Sequence, residues 1–187
     1  MTPEQLLRKI TKILQDLKIS YAITGGFAVA VWGKPRFTAD IDIIVKLASE
    51  NIKPLSKALV AVDKDVYISE EAIKEALKRK SEFNFIHPQT GLKIDFWVTG
   101  GKADIYGRLK LEKAMAKKVG KQKIFFVSPE DLILSKLLWF KESQSSRHLE
   151  DIKTILDNQK LKLNLNYLKK WAALGSTIKI FEKALKR

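Results

Sequence analysis

The most informative part of the chain reads Tyr21-Ala22-Ile23-Thr24-Gly25-Gly26 and, after thirteen intervening residues, Asp40-Ile41-Asp42-Ile43. The first segment is short and apolar and ends in two glycines, which predicts a strand followed by a tight turn. In the second segment, alternate residues of a strand share a face, so both aspartates project to one side. The pattern therefore predicts paired carboxylates on a strand whose isoleucines face the core.

Two carboxylates on one face repel each other unless a cation lies between them. Hard oxygen ligands at this spacing suit Mg²⁺ or Mn²⁺. The alternative is a pair of solvated aspartates on an edge strand. For Gly25-Gly26 the alternatives are a plain turn, or a turn whose backbone amides approach a phosphate at a helix N-terminus. No lysine-serine pair follows the glycines, which excludes a P-loop.

A third carboxylate, Asp95, lies within the apolar segment 92–98. Its neighbours Ile94 and Phe96 share one face of a predicted strand, so Asp95 projects from the other. Residues 81–86 form a further predicted strand, joined to this one through the turn-forming segment 87–91. This hairpin could bring Asp95 beside Asp40 and Asp42; the alternative is a surface aspartate.

Composition favours a single folded domain with an appended helical segment, since 45% of the 187 residues are apolar. The chain has no cysteine, which excludes disulfides and thiolate metal sites. The polar start Met1-Thr2-Pro3-Glu4 does not resemble a signal peptide. No apolar run approaches the ~20 residues that a membrane span requires. We therefore expect a cytoplasmic protein without a membrane partner.

Predicted strands dominate the first two-thirds of the chain and predicted helices the last third. This order indicates an α/β fold of the α+β type, a small mixed sheet flanked by helices with a helical C-terminal segment packed on the core. Residues 1–127 are the predicted core and residues 128–187 the helical segment. Helix signals, from capping residues and apolar periodicity, mark residues 3–18, 27–32, 54–60, 69–80, 128–142 and 147–158, with two more helices within 165–187.

The net charge of +14 is concentrated in two stretches. Residues 108–123 carry seven basic and one acidic side chain, and residues 160–187 carry eight and one, giving +6 and +7. One interpretation is a lysine-rich solvated surface. The other is a face that binds a polyanion, because clustered lysines neutralise phosphates.

Taken together, the motifs resemble the DNA-polymerase-β-like nucleotidyltransferase superfamily. A Gly-Gly turn, a helix, a loop, an Asp-x-Asp strand and a later strand aspartate occur here in that order as Gly25-Gly26, Asp40, Asp42 and Asp95. In small prokaryotic members an arginine and a threonine often precede the paired aspartates, as Arg36 and Thr38 do here. The segments around Lys136 and Arg147 resemble the helical part of toxin–antitoxin-associated members. The resemblance covers roughly residues 20–156.

This resemblance implies that Asp40, Asp42 and Asp95 hold divalent cations and that Asp95 helps to deprotonate an acceptor hydroxyl. The remaining family positions would contact the nucleotide; they are Gly25, Gly26, Arg36, Thr38, Lys136 and Arg147. Each basic residue has an alternative interpretation. Lys136 could snorkel out of an apolar helix stripe, Arg36 could be a solvated loop residue, and Arg147 could pair with Asp151 four residues on.

The resemblance implies a metal-dependent enzyme that moves a nucleoside monophosphate from an NTP to an acceptor hydroxyl on RNA, such as a tRNA end, or on a protein. A cognate toxin or antitoxin would be its partner. The alternative is a non-catalytic module that retains the fold and binds RNA or a partner protein. Three acids at one place argue against that alternative, because without metals they would repel a polyanion.

Overall fold

The computed structural model describes residues 1–38, 40–66, 68–100, 104–158 and 162–186. Ala39, and Lys160 and Arg187 of the basic C-terminal stretch, lie outside this set. The chain divides into two compact units. The first combines Met1–Gly26 with Thr38–Val127, and the second combines Phe27–Phe37 with Ser128–Arg187.

Helices and strands alternate through the first unit, and the last third of the chain is helical. The helices are α1 (Pro3–Asp16), α2 (Gly25–Trp32), α3 (Ile52–Val60), α4 (Glu70–Arg79), α5 (Ile105–Glu112), α6 (Pro129–Ser143), α7 (Ser146–Leu156), α8 (Leu165–Leu174) and α9 (Ile178–Leu185). The strands are β1 (Ser20–Ile23), β2 (Asp40–Lys46), β3 (Glu82–Ile86), β4 (Lys93–Thr99), β5 (Met115–Val119) and β6 (Gln122–Phe126).

The strands form one mixed sheet in the order β3-β4-β2-β1-β6-β5. β2 pairs with β4 in parallel and with β1 antiparallel, while the β3–β4 and β5–β6 pairs are antiparallel. The core face of β2 is completely buried at Ile41, Ile43 and Val45. The predicted mixed sheet with flanking helices and a helical C-terminal segment is confirmed.

Local capping chemistry explains where several predicted helices begin. Thr2 accepts from the Gln5 amide, and the Gln5 side chain accepts from the Thr2 amide, which completes a capping box before Pro3. Ser69 and Ser128 cap α4 and α6 in the same side-chain manner. α1 ends two residues earlier than predicted, because Lys18 adopts a left-handed φ of 53°.

The sequence does not predict two elements, α5 and β5. α5 contains Gly107, which disfavours a helix, and β5 contains Ala116, Lys117 and Lys118, residue types that disfavour a strand. β5 forms because it pairs with β6 across the two-residue turn Gly120-Lys121. Gly120 has a φ of 57°, the positive value that such hairpin turns require. Tertiary pairing here overrides the local preference.

In the second unit, α6 packs mainly on α7, and α8 and α9 complete the helical layer. Residues 27–37 come between β1 and β2 in sequence, but they belong to this unit because they contact α7 and Asn158. The Asn158 side-chain amide donates to the Trp32 carbonyl at 2.9 Å. A Cβ on Gly33 would lie only 2.4 Å from Thr154 Oγ1, so the backbone passes very close to α7. Within the described residues, no helix is long and apolar enough to cross a membrane.

Candidate active site

The pairing of β2 with β4 places the three predicted aspartates on one face of the sheet. Asp42 lies opposite Asp95 in the parallel register, and Asp40 lies opposite Lys93. Opposed residues on neighbouring strands project to the same side, and so do residues two apart on one strand. Asp40, Asp42 and Asp95 therefore share a face, although Asp95 comes from a strand more than fifty residues along the chain.

These carboxylates differ in exposure. Asp40 is exposed and Asp42 is half-buried, while Asp95 is buried, with only 8% of its surface exposed to solvent. Asp95 Oδ1 is buried without a hydrogen bond from the described residues. Lys93 Nζ lies 2.8 Å from that oxygen, as an ion pair that lacks hydrogen-bond alignment. This close contact with Asp95 raises the pKa of Lys93, against the effect of burial, and the charges of Asp95, Asp40 and Glu82 add to the increase.

Asp42 is held by the strand pair and by the turn that precedes α2. Trp97 Nε1 donates to Asp42 Oδ1 at 3.3 Å, and the Thr24 amide donates to the Asp42 carbonyl at 2.9 Å. Gly25 has a φ of 62°, and a Cβ there would lie 1.8 Å from Asp42 Oδ2. Only glycine fits between this turn and the carboxylate, so Gly25 has a steric role at the site.

The second glycine meets the loop before β2. A Cβ on Gly26 would lie 2.7 Å from both Cβ and Oγ1 of Thr38. Thr38 Oγ1 in turn donates to the Asp40 carbonyl at 3.2 Å. Gly25, Gly26 and Thr38 thus lie beside the sheet face that carries the three aspartates, all within the first unit.

The donor set fits a hard divalent cation in its chemistry. It consists of carboxylate oxygens, one of them buried without a hydrogen bond, beside a glycine turn that leaves room at Asp42. The three carboxylates are not arranged as a complete metal-binding site. Across the described ranges, no three His, Cys, Asp or Glu side chains are grouped closely enough to hold a metal ion as they stand. Lys93 engages Asp95, and Trp97 engages Asp42.

In the second unit, two of the three basic residues predicted to bind nucleotide, Arg36 and Lys136, gather around Asp151. Arg36 donates from Nε to Oδ1 at 2.7 Å and from Nη2 to Oδ2 at 2.9 Å. Lys136 Nζ lies 2.9 Å from Oδ2, and the side chains of Lys136 and Asp151 are 6% and 2% exposed. Burial alone raises the pKa of Asp151, but hydrogen bonds and charge from Arg36 and Lys136 bring it below its usual value.

These contacts correct three of the alternative interpretations. Lys136 does not snorkel into solvent but is buried against Asp151. Arg36 is not a solvated loop residue, since it forms a two-point ion pair. Arg147 does not pair with Asp151; its Nη2 donates to the Phe37 carbonyl at 3.0 Å, where Arg36 Nη1 also donates at 3.2 Å.

Two residues beside the carboxylates were missed as site residues by the sequence interpretation. Lys93 and Trp97 flank Asp95 at two residues on either side, and both contact the carboxylate face. Strand periodicity carries this signal, because residues two apart share a face. Asp151 was likewise considered only as a partner of Arg147. Its contact with Arg36 joins residues far apart in sequence, so no local pattern reveals it.

A comparison with protein-family models matches residues 7–179 to AbiEii, described as a nucleotidyl transferase AbiEii toxin of a type IV toxin–antitoxin system. No curated protein matches the chain at a significant level.

Several solved structures share the fold. ANT(2'')-Ia in complex with adenylyl-2''-tobramycin has a TM-score of 0.61 and 14% identity, covering 94% of this chain and 98% of that one. The lincomycin-bound lincosamide antibiotic adenylyltransferase LnuA has a TM-score of 0.55 and 16% identity, covering 84% and 98%. An antigenic nucleotidyltransferase-like protein from Paracoccidioides brasiliensis has a TM-score of 0.55 and 17% identity, covering 98% and 91%. At these identities the likeness establishes the nucleotidyltransferase fold.

The predicted resemblance to small prokaryotic nucleotidyltransferases is confirmed by the family match and by the fold. The match begins in α1 and ends in α9, so it takes in the glycine turn, the carboxylate face and the helical unit. This chain belongs to the AbiEii nucleotidyl transferase toxin family of type IV toxin–antitoxin systems.

Proposed function

We propose that the chain is a Mg²⁺- or Mn²⁺-dependent enzyme that transfers a nucleoside monophosphate from an NTP to an acceptor hydroxyl. The observation that carries this proposal is the register of β2 and β4, which aligns Asp42 with Asp95 beside the Gly25 turn. Asp40, Asp42 and Asp95 would hold the metal. A bound divalent cation would neutralise charge on the triphosphate and on the departing pyrophosphate.

The residues around the metal ligands have distinct proposed roles. The backbone amides after Gly25, at the N-terminus of α2, would face the phosphates, because a helix N-terminus favours anions. Asp95 is the group proposed to accept the proton of the attacking hydroxyl. Thr38, which contacts Gly26 and the Asp40 backbone, would hold the loop that leads into β2.

The proposed nucleotide contacts in the helical unit divide into two kinds. Arg36 and Lys136 neutralise the buried Asp151, which favours a role in positioning α6 and α7. Arg147 is exposed, and its guanidinium donates to a backbone carbonyl rather than to an acid. Arg147 is therefore the residue that we propose to reach a phosphate through its planar fork of donors.

The family description supports a toxin of a type IV system with a separate cognate antitoxin. We propose that the acceptor hydroxyl belongs to RNA, such as a tRNA end, or to a protein. The competing proposal is a module that binds RNA or a partner without catalysis. A metal titration separates the two, since only the enzyme requires a divalent cation at the carboxylates.

Transfer activity is tested by incubating the protein with each α-³²P-labelled NTP, Mg²⁺ and total cellular RNA or protein. We expect label to enter one macromolecular fraction, with release of pyrophosphate, and EDTA to abolish both. Label that resists nuclease but not protease would assign a protein acceptor. If no NTP labels either fraction and no pyrophosphate is released, the non-catalytic interpretation replaces the enzyme.

Replacing Lys93 with methionine is expected to strengthen Mn²⁺ binding by about 10-fold. The Lys93 ammonium lies 2.8 Å from Asp95 Oδ1, so it repels a cation that approaches the same oxygen. Isothermal titration with Mn²⁺ in the absence of nucleotide measures this effect. Lys46→Met is the matched control, because Lys46 ends β2 opposite Thr99, away from the aspartates. Unchanged or weaker binding in Lys93→Met would exclude Lys93 as a competitor for the carboxylates.

A further inference from the structure

A groove of about 770 Å³ opens within the helical unit, between α6, α7 and α9. Its floor is apolar and consists of Phe140, Leu149, Ile180 and Ala184. Its rim carries four lysines, Lys153, Lys179, Lys183 and Lys186. This volume falls within the range of ~300–1,000 Å³ that is typical of ligand sites in proteins.

The spacing of the rim lysines concentrates positive charge on one side of α9. Lys179 and Lys183 stand at positions i and i+4 of α9, which share one face of a helix, and Lys186 follows as the C-cap residue with an extended backbone. The helical rise places Lys179 and Lys183 about 6 Å apart along the axis. Lys153 of α7 adds a fourth ammonium, and Asp157 is the acid among the lining residues.

Within the described ranges, the rim lysines form no ion pair with an acid. Ion pairs among the described residues use other cations, such as Lys93 with Asp95 and Lys136 with Asp151, and none uses these four. All four are exposed. Uncompensated ammonium groups around one opening repel each other, and this repulsion is relieved when an anion binds between them.

We propose that this groove binds a single-stranded RNA segment, with the lysines on its phosphates and the apolar floor against a base. The apolar floor suits the flat face of a base, and Phe140 offers an aromatic surface for it. A single RNA strand supplies a phosphate at every nucleotide together with a flat base, whereas an acidic protein supplies carboxylates without a base. The inference rests on the proposed function, since it identifies RNA as the class of the acceptor.

The structure also distinguishes these lysines from others in the same basic stretch. Lys169 and Lys170 lie on α8, are also exposed and do not line the groove. Both pairs of lysines belong to the basic stretch 160–187, so charge composition alone does not distinguish them. A reversal of two lysines in each set changes the net charge by the same amount, so the pair of variants separates a local site from a general field.

The test compares Lys179→Glu/Lys183→Glu with Lys169→Glu/Lys170→Glu, using fluorescence anisotropy of a labelled 12-nucleotide oligo(U). We expect the groove variant to bind about 10-fold or more weakly. The slope of its log K against log salt should flatten by ~1.4, or ~0.7 for each phosphate that a lysine no longer neutralises. The α8 variant should stay within about 3-fold of the parent. Circular dichroism checks that both variants fold, and Lys179→Gln/Lys183→Gln repeats the test without reversing charge.

Three outcomes would overturn the inference. Equal weakening in both variants would indicate a non-specific field, and no change in either would indicate a solvated face. The third outcome is a competition result. If poly-glutamate displaces the labelled oligonucleotide at the same concentration as unlabelled oligo(U) does, an acidic protein partner is indicated instead of RNA.

A parallel measurement keeps this inference separate from the proposed function. The groove variants should retain the increase in melting temperature that Mg²⁺ and NTP produce, because the proposed metal ligands lie in the other unit. Nucleotidyl transfer by a parent protein that does not bind oligo(U) would reject the groove and leave the enzyme standing. RNA binding that depends on the groove lysines, in a protein with neither nucleotidyl transfer nor a nucleotide-induced increase in melting temperature, would support the groove and reject the proposed enzyme.

Discussion

Replacing Asp151 with alanine is expected to lower the free energy of unfolding by about 3–5 kcal/mol. Asp151 is 2% exposed and pairs with both Arg36 and Lys136, and Lys136 is itself buried. Removing the shared carboxylate leaves a buried ammonium and a half-buried guanidinium without an anion. Urea denaturation at pH 7, followed by circular dichroism, measures the loss.

The control for this prediction is an ion pair on the surface. Glu75 pairs with Arg79 one helical turn away, and their side chains are 53% and 75% exposed. Glu75→Ala should change stability by less than about 1 kcal/mol. If Asp151→Ala falls in that range as well, the buried cluster does not hold the helical unit together.

The stabilisation by Asp151 also has a predicted dependence on pH. Its folded-state pKa lies below the ordinary value of 3.8, so the unfolded chain takes up the proton first as the pH falls. The contribution is therefore complete above the unfolded pKa and is lost as the pH falls through the lower folded pKa. The stability difference between parent and Asp151→Ala should be constant near neutrality and narrow in acid.

Replacing Asp42 with asparagine is expected to lower nucleotidyl transfer by at least 100- to 1,000-fold, about the cost of removing one preorganised electrostatic group. Asp42 is the central carboxylate, with Asp95 opposite on β4 and Asp40 two residues away on the same face. The variant should also lose the increase in melting temperature that Mg²⁺ and NTP produce. Without ligands it should be as stable as the parent or slightly more stable, because repulsion from Asp95 is relieved.

Asp16→Asn is the matched control, since it removes a carboxylate from an exposed pair with Lys12 on α1. Transfer and the nucleotide-induced shift should be unchanged in that variant. A normal shift in Asp42→Asn would exclude Asp42 from the metal site. A shift that persists while transfer is lost would instead place Asp42 in catalysis but not in metal binding.

Local chemistry explains why much of the fold could be predicted from the chain. Thr2, Ser69 and Ser128 mark helix starts because their side chains satisfy amides of the first turn. The alternation through β2 and β4 separates core residues from carboxylates, because successive strand residues point to opposite faces. Both signals lie within a few residues, so neither depends on distant contacts.

Two features of the fold depend on contacts outside the segments themselves. β5 carries two lysines and little apolar pattern, and it becomes a strand because β6 supplies the other half of its hydrogen bonds. The segment 27–37 lies between two strands of the first unit in sequence, yet it belongs to the helical unit through contacts with α7 and Asn158.

By itself, the sequence determined the order of the glycine turn and the three aspartates, and the face of each strand from which each aspartate projects. These properties follow from turn preference and strand periodicity, which act over two to six residues. Only the tertiary structure decided that Asp42 lies opposite Asp95, that Lys93 engages the Asp95 carboxylate and that Asp151 takes Arg36 and Lys136 as partners. Strand register and ion pairs between residues far apart depend on which surfaces are buried together, and no local pattern encodes that choice.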